Sequence, residues 1–261
     1  MRSKLELSFI SISIIFTILL FVTLFSLFII ISPQDFIESV FSQEMLFAVQ
    51  LTLSTSLIAA ALVMLFAVPT AYSLSRYSFP LKGIVKSILA VPMALPEIVI
   101  GIALLMLLGN TLLGGPLSKL GIQIVFTPLG IIIAQFFVAI PFAIRILYSI
   151  FNYINPRYEF VSRSLGYSEF ETLKNVTFPL AKNGIFAAGI VALARCIGTF
   201  AAVLFVAGGT YLQTETLSIA LYLNLSFGNI NMAISAGILL ILISLVTIFI
   251  LEKYAKETYM Q

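Results

Sequence analysis

The stretch NPRYEFVSRSLGYSEFETLKNVTFPLAKNG, residues Asn155–Gly184, is the one long polar and charged segment between apolar runs in this chain. The apolar runs on either side, near 128–150 and 184–207, are each long enough to cross a lipid bilayer as a helix. A charged segment between two such runs has to lie in water, where a soluble partner can reach it. The sequence therefore predicts membrane-spanning helices organised around an aqueous loop over residues 155–183.

This loop carries the local signals of two short helices joined by a glycine. A turn signal precedes Arg157, where the first helix can begin. Gly166 stands where a left-handed residue ends a short helix. Ser168, with Glu171 three positions later, has the pattern of a capping box that begins a second helix, and Pro179 is expected to end it. The residues alone leave open that both helices rest on the membrane surface without a partner.

Composition fixes the broad class of the protein. The chain is 61% hydrophobic and 10% charged, with a mean hydropathy of +1.13, which a soluble domain could not bury. The apolar runs are continuous and do not alternate with period two, so they predict helices and not a barrel. The chain has no His and a single Cys, Cys196, which excludes intrachain disulfides, histidine-based catalysis and most zinc sites.

Six apolar runs are long enough to span a bilayer. They lie near 8–31, 46–70, 87–108, 128–150, 184–207 and 232–251. The first run is about twice the length of a signal-peptide core and no small-x-small cleavage site follows it, so we expect a retained helix. The fold prediction is thus an all-α integral membrane protein, a bundle of about six transmembrane helices. One transmembrane domain fills residues 1–261.

The positions of Lys and Arg predict the orientation. If the N-terminus lies inside, the inner segments carry Arg2, Lys4, Arg76, Lys82, Lys86, Arg157, Arg163, Lys174, Lys182, Lys253 and Lys256. The outer loops then carry only Lys119, against Asp35, Glu38, Glu44 and Glu215. This strong positive-inside bias places both termini and the 155–183 loop in the cytoplasm of a multi-pass cell-membrane protein. The net charge of +3 follows from this topology, and no basic-aromatic cluster points to nucleic acid.

Three ionisable residues fall inside the predicted spans. Arg145 lies toward the inner end of its span, from where it can reach the headgroups as an anchor. Glu97 and Arg195 fall near mid-span, where a charge costs about 2.5–3.5 kcal/mol on insertion scales and usually finds a partner. Two interpretations stay open: a structural ion bridge between the third and fifth spans, or an Arg195 that lines a route for an anion.

Prolines are expected to distort two of the spans. Pro92 and Pro96 lie four residues apart at the start of the third span, and Pro141 lies in the fourth. Each removes a helical hydrogen bond and predicts a kink or a break. A structural kink is the plainer interpretation, and a hinge beside a pathway is the alternative.

The polar loop resembles the cytoplasmic signature loop of ABC importer permeases, known as the EAA loop. The matching residues are Leu165-Gly166, Phe178-Pro179-Leu180 and Gly184. The match ends at the front, where Phe160 holds the position of the glutamate and Glu159 lies one residue early. In that family the loop forms a coupling helix that sits in a groove of the cytoplasmic ATPase. The resemblance therefore implies ATPase coupling for Arg157, Glu159, Phe160, Arg163, Leu165, Gly166, Ser168 and Pro179.

A second resemblance covers the fifth span. The runs 193–202, 205–209 and 213–220 resemble the permeases of molybdate, tungstate and sulfate importers, with Thr199 at a position where that branch usually carries Glu. Without that carboxylate Arg195 lacks a partner one turn away, and we hypothesise that Glu97 supplies the counter-charge. The implied translocation and gate residues are Arg195, Gly198, Thr199 and Glu97.

Together the resemblances imply a permease subunit of an ABC oxyanion importer, most simply for molybdate or tungstate. The nucleotide-binding pattern GxxxxGK[ST] does not occur, so this chain would bind no cofactor, and ATP and Mg would be bound by a partner. The implied partners are a cytoplasmic ATPase dimer, an extracytoplasmic oxyanion-binding protein, a second copy of this chain and the lipid bilayer. The alternatives are a sulfate or thiosulfate permease, an ion-gradient transporter acting alone and, with least support, an intramembrane enzyme.

Overall fold

A computed structural model describes residues 4–109 and 113–256, and all regular structure in these ranges is helical. The helices are α1 (Lys4–Ile30), α2 (Pro33–Val40), α3 (Gln43–Arg76), α4 (Lys82–Ala94), α5 (Glu97–Leu108), α6 (Gly114–Lys119), α7 (Pro128–Tyr153), α8 (Arg157–Ser164), α9 (Glu169–Thr172), α10 (Phe178–Ile197), α11 (Ala201–Ala207), α12 (Leu217–Ser226) and α13 (Ile230–Lys256). A single π-helical turn, Leu173–Thr177, joins α9 to α10.

The predicted six spans are confirmed if a bent pair of helices counts as one. Five helical stretches are long and apolar enough to cross a membrane: Leu5–Ile30, Gln43–Arg76, Pro128–Tyr153, Glu169–Ile197 and Ile230–Ile250. The sixth consists of α4 and α5, and the chain bends by 111° between these two helices. Outside the spans, the short α2 is capped by the Ser32 hydroxyl and lies before α3.

The break between α4 and α5 falls at Pro96, one of the two predicted prolines, whereas α4 continues as a helix through Pro92. Leu95 leaves the helix with an extended backbone, as the residue before a proline prefers, and Pro96 precedes the first residue of α5. By contrast, α7 continues as one helix through Pro141. The third span is therefore broken and the fourth is not, although both contain proline.

The fifth span differs from the continuous run predicted at 184–207. Helix α10 ends at Ile197, residues 198–200 interrupt it, and the short α11 follows. The backbone N–H of Phe200 donates to the Glu97 carboxylate at 3.2 Å instead of continuing the helical ladder. The prediction of one uninterrupted helix was wrong because a side chain from another span takes up a backbone donor.

Helix α12 was not expected from the sequence. It has ten largely apolar residues, which is too few for a helix that crosses a bilayer. The N–H of Leu217, at its start, donates to Thr52 Oγ1 of α3 at 2.8 Å. Near its end, the Asn224 amide donates to Glu44 at the start of α3, at 2.6 Å. These contacts fix α12 along the outer half of α3.

The core of the bundle lies among α3, α7 and α10. Small side chains line these contacts, among them Ala67, Ala139 and Ala188, all fully buried. Small residues allow transmembrane helices to approach closely and gain packing energy. Two helices stay at the periphery: α1 has no buried residue in its most apolar window, and α4 has none at all.

The candidate coupling loop and an intramembrane ion pair

The two-helix form of the cytoplasmic loop is confirmed. Leu165 follows α8, and Gly166 adopts the left-handed conformation with φ of +94°. Glu171 N–H donates to Ser168 Oγ at 3.3 Å, and Ser168 N–H donates back to Glu171 Oε2 at 2.8 Å. This reciprocal capping box begins α9 at Glu169, five residues after α8 ends at Ser164. Local signals alone therefore define the elbow.

Pro179 does not end the second helix, and that prediction was wrong. It lies in the first turn of α10, which continues to Ile197. The preceding π turn contains the bond from Phe178 N–H to the carbonyl of Leu173, five residues earlier. A wider turn relieves the clash between a proline ring and the carbonyl four residues before it. The loop is thereby continuous with the fifth span as a single, widened helix.

Glu159 is buried, and its carboxylate contacts side chains from other parts of the chain. Its Oε1 accepts hydrogen bonds from Arg76 Nε and from Thr177 Oγ1, both at 2.9 Å. Tyr72 donates to Oε2 at 3.5 Å. The carboxylate thus joins the end of α3 to α8 and to the π turn before α10.

Arg76 completes this joint and was not among the residues singled out from the sequence. Besides Glu159, it donates to the carbonyl of Ile154 after α7 at 3.0 Å and to the Ser75 hydroxyl at 3.1 Å. Its side chain is 8% exposed and that of Glu159 is 5% exposed. An Arg in the last turn of a span is usually interpreted as an anchor to the lipid headgroups. The residues next to Arg76 in the sequence therefore gave no indication of its bond to Glu159. We call Arg76, Glu159 and Thr177 the loop joint.

The opposite face of the loop is apolar and exposed. Phe160 is 67% exposed, Leu165 74% and Phe170 73%. All three lie outside the apolar runs, so lipid is not expected to cover them. Exposed apolar patches of this kind mark interaction surfaces. Of the remaining predicted coupling residues, Arg157 and Ser168 are exposed, and Arg163 forms an exposed ion pair with Glu169 at 3.5 Å.

The structure brings Glu97 and Arg195 together, as hypothesised. Arg195 Nη2 lies 3.2 Å from Glu97 Oε1, and the guanidinium stacks 4.7 Å from the centre of the Phe142 ring. Glu97 opens α5 at the break in the third span, and its second oxygen accepts from Phe200 N–H. One carboxylate therefore both neutralises Arg195 and caps the break in the fifth span.

Arg195 retains donor capacity toward its surroundings. Its side chain is 41% exposed, while its buried Nε has no hydrogen-bond partner. Thr199, in contrast, is buried, donates to the Arg195 carbonyl at 2.8 Å and accepts at its own carbonyl from Ser218. Gly198 is exposed beside them. Arg195 and Gly198 are therefore accessible from outside the protein, whereas Thr199 forms hydrogen bonds that hold neighbouring parts of the backbone together.

A pair of neighbouring carboxylates, Glu44 and Glu215, lies at the outer end of the bundle and was not anticipated. Glu215 is 3% exposed, and burial, together with the neighbouring Glu44, raises its pKa to about 7. Asn224 donates to Glu44 from α12.

Across residues 4–109 and 113–256, no cluster of three or more His, Cys, Asp or Glu side chains could hold a metal ion.

Comparison with known proteins identifies close sequence relatives. Residues 64–257 match the family described as binding-protein-dependent transport system inner membrane component. The molybdate/tungstate transport system permease protein WtpB of Methanocaldococcus jannaschii is 31% identical over 230 residues, which cover 87% of this chain and 89% of WtpB. The sulfate transport system permease protein CysW of Synechocystis is 29% identical over 226 residues, covering 86% and 82%.

Solved structures share the fold at lower identity. A chain of a bacterial alginate ABC transporter, in complex with its alginate-bound periplasmic protein, superposes with a TM-score of 0.73 at 19% identity, covering 97% of this chain and 94% of that one. A chain of the MetNI methionine ABC transporter in an inward-facing conformation gives a TM-score of 0.63 at 16% identity, covering 83% and 98%.

Proposed function

This chain belongs to the family of binding-protein-dependent transport system inner membrane components, and we propose that it forms the pathway of an ATP-driven importer for molybdate or tungstate. It is the membrane permease subunit of an ABC importer and not itself an enzyme; ATP hydrolysis belongs to a partner chain. ATP and Mg would be bound by that partner, with no cofactor held by this chain. The importer also works with a binding protein on the outer side of the membrane.

Arg195 is the observation that carries the oxyanion proposal. Inside the membrane, the Arg195 side chain is 41% exposed, and the accessible part of its guanidinium can offer hydrogen bonds and positive charge to a passing anion. Glu97 offsets its charge, so an anion would be held weakly enough to leave again. Selectivity would then reside mainly in the binding protein. Sulfate or thiosulfate is the second candidate, because the sulfate permease CysW is nearly as similar as WtpB.

The loop supplies a physical route for coupling. The exposed Phe160, Leu165 and Phe170 would seat in a groove of the ATPase, as the resemblance to the EAA loop implies. Behind them the loop joint ties the loop to α3, α7 and α10 at once. A pull on the loop would therefore move three spans together. Closure of the ATPase dimer would draw two loops toward each other and rock the spans between inward- and outward-open states.

A second copy of this chain would complete the pathway. Helix α1 contacts chiefly α13 and leaves its apolar surface uncovered. Between α1 and α13 lies an apolar cleft of about 520 Å³, lined by Phe21, Phe25, Leu245 and Gly198 among others. Because Gly198 adjoins Arg195, packing of a partner helix in this cleft would bring the two pathways together. We therefore propose a homodimer.

Reconstituted transport tests the proposal. The permease, its ATPase and its binding protein are placed in vesicles, and uptake of labelled molybdate is measured with tungstate or sulfate as competitor. We expect ATP-dependent uptake that tungstate suppresses and sulfate does not; the reverse preference would assign the sulfate alternative. Uptake without the ATPase would show a gradient-driven transporter instead. Arg195→Gln should abolish uptake with the ATPase still bound, whereas the matched Lys182→Gln should not.

A further inference from the structure

A cleft of about 210 Å³ lies between α4 and α7, on the side predicted to face the cytoplasm. Its floor is apolar and includes Leu89, Met93 and Pro141. Its rim carries Lys86, Arg145 and Tyr148. The cleft is thus charged at one edge and apolar along its length. Such a lining is complementary to an amphiphilic ligand and not to a small hydrophilic ion.

The two cations of the rim are available to a ligand. Lys86 Nζ hydrogen-bonds the Tyr148 hydroxyl and lies over that ring, 4.1 Å from its centre. Arg145 is exposed. Within the part of the chain that the structure describes, neither cation forms an ion pair with a carboxylate. Two positive charges that line one cleft without a carboxylate partner attract an anionic group.

Both cations lie toward the ends of their helices that are predicted to face the cytoplasm. Lys86 lies four residues after the start of α4, or about 6 Å along the helix, and Arg145 lies eight residues before the end of α7, or about 12 Å. Basic pockets between helices on the cytoplasmic side are suited to phospholipid headgroups. From these positions the long side chains can reach outward to a phosphate.

The cleft is open toward the side of the bundle. Helix α4 has no buried residue and packs chiefly against α7. Its Ile84, Ile88 and Val91 are exposed as well, so a lipid chain can approach along the helix. A ligand in the cleft would fill the space behind α4 and support it against α7.

We propose that this cleft binds one anionic phospholipid of the cytoplasmic leaflet. The headgroup phosphate meets Lys86, Arg145 and the Tyr148 hydroxyl, and an acyl chain covers Leu89 and Met93. Charge complementarity selects an anionic over a zwitterionic headgroup, and the apolar floor selects a lipid over free phosphate or another inorganic oxyanion. The site depends on the predicted orientation and is independent of the solute that the permease carries.

Native mass spectrometry of the detergent-purified permease with its ATPase tests the site. After delipidation, dioleoyl phosphatidylglycerol and dioleoyl phosphatidylcholine are titrated separately, since they share acyl chains and differ in headgroup charge. We expect one phosphatidylglycerol per permease chain to bind more tightly than phosphatidylcholine. Lys86→Gln with Arg145→Gln should weaken that binding about tenfold or more. The matched Lys182→Gln, an exposed basic residue at the inner end of α10, should leave it unchanged.

Two further measurements keep the result interpretable. Arg145→Lys retains the charge and should retain most of the phosphatidylglycerol binding, which separates loss of the site from misfolding. Inorganic phosphate or molybdate at millimolar concentration should not displace the lipid. Equal binding of both lipids, or unchanged binding by the double variant, would overturn the proposal. Displacement by the free oxyanions would overturn it in favour of a solute site.

Discussion

Replacing Glu159 with alanine removes the carboxylate that Arg76 and Thr177 both contact, and leaves the guanidinium of Arg76 without a counter-charge. Both side chains of the ion pair are under a tenth exposed, so the loss leaves the charge of Arg76 largely buried. Removing one member of a buried pair typically costs about 3–5 kcal/mol. Arg76 keeps its bonds to the Ile154 carbonyl and the Ser75 hydroxyl, which favours the lower end, about 3 kcal/mol.

The loss should act on the loop and not on the whole bundle, because α3, α7 and α10 keep their packing. A cost of about 3 kcal/mol raises the open population of the loop about a hundredfold. Limited proteolysis between residues 155 and 178 should accelerate by a similar factor when opening is fast relative to cleavage. ATP-driven uptake should fall in parallel, since a detached loop no longer moves three spans.

Two variants serve as controls. Glu169→Gln removes an exposed ion pair with Arg163 and should change loop stability by less than about 1 kcal/mol. Arg76→Met combined with Glu159→Leu replaces the buried pair by apolar packing and should recover much of the protection. The reasoning fails if Glu159→Ala leaves the loop as resistant as the wild type. It also fails if that variant loses the ATPase while its loop stays protected, since Glu159 would then contact the partner directly.

Three further changes have definite expected outcomes. Gly166→Ala places a Cβ at φ of +94°, which should cost about 1 kcal/mol and weaken coupled uptake; an unchanged rate of loop proteolysis would contradict this. Glu97→Gln removes the counter-charge of Arg195 and the charged acceptor for Phe200 N–H, so both thermal stability and uptake should fall, and a variant that keeps both would refute a role for the pair. Glu215 has a folded-state pKa raised to about 7 from 4.5, so its contribution to stability should be lost as pH rises between those values and level off above 7. Glu215→Gln should flatten that part of the thermal-stability profile, and an identical profile in the variant would exclude Glu215 as its source.

Much of the candidate site could be predicted because its signals are local. The capping box of Ser168 depends on a residue three positions away, and the conformation of Gly166 depends on the lack of a Cβ. The pairing of Glu97 with Arg195 could be hypothesised because charges inside a membrane need partners and few were available. The direction in which Glu159 points could not, because its partner Arg76 lies 83 residues earlier in the chain.

The sequence by itself determined the membrane class, the predicted orientation and the glycine elbow, since hydropathy, loop charge and capping act within a few residues. Tertiary structure alone decided that Phe200 donates to Glu97 and ends the continuity of the fifth span. It also decided that α12 packs along α3. These outcomes depend on which buried donors and acceptors meet when the helices pack, and no short stretch of sequence contains both partners.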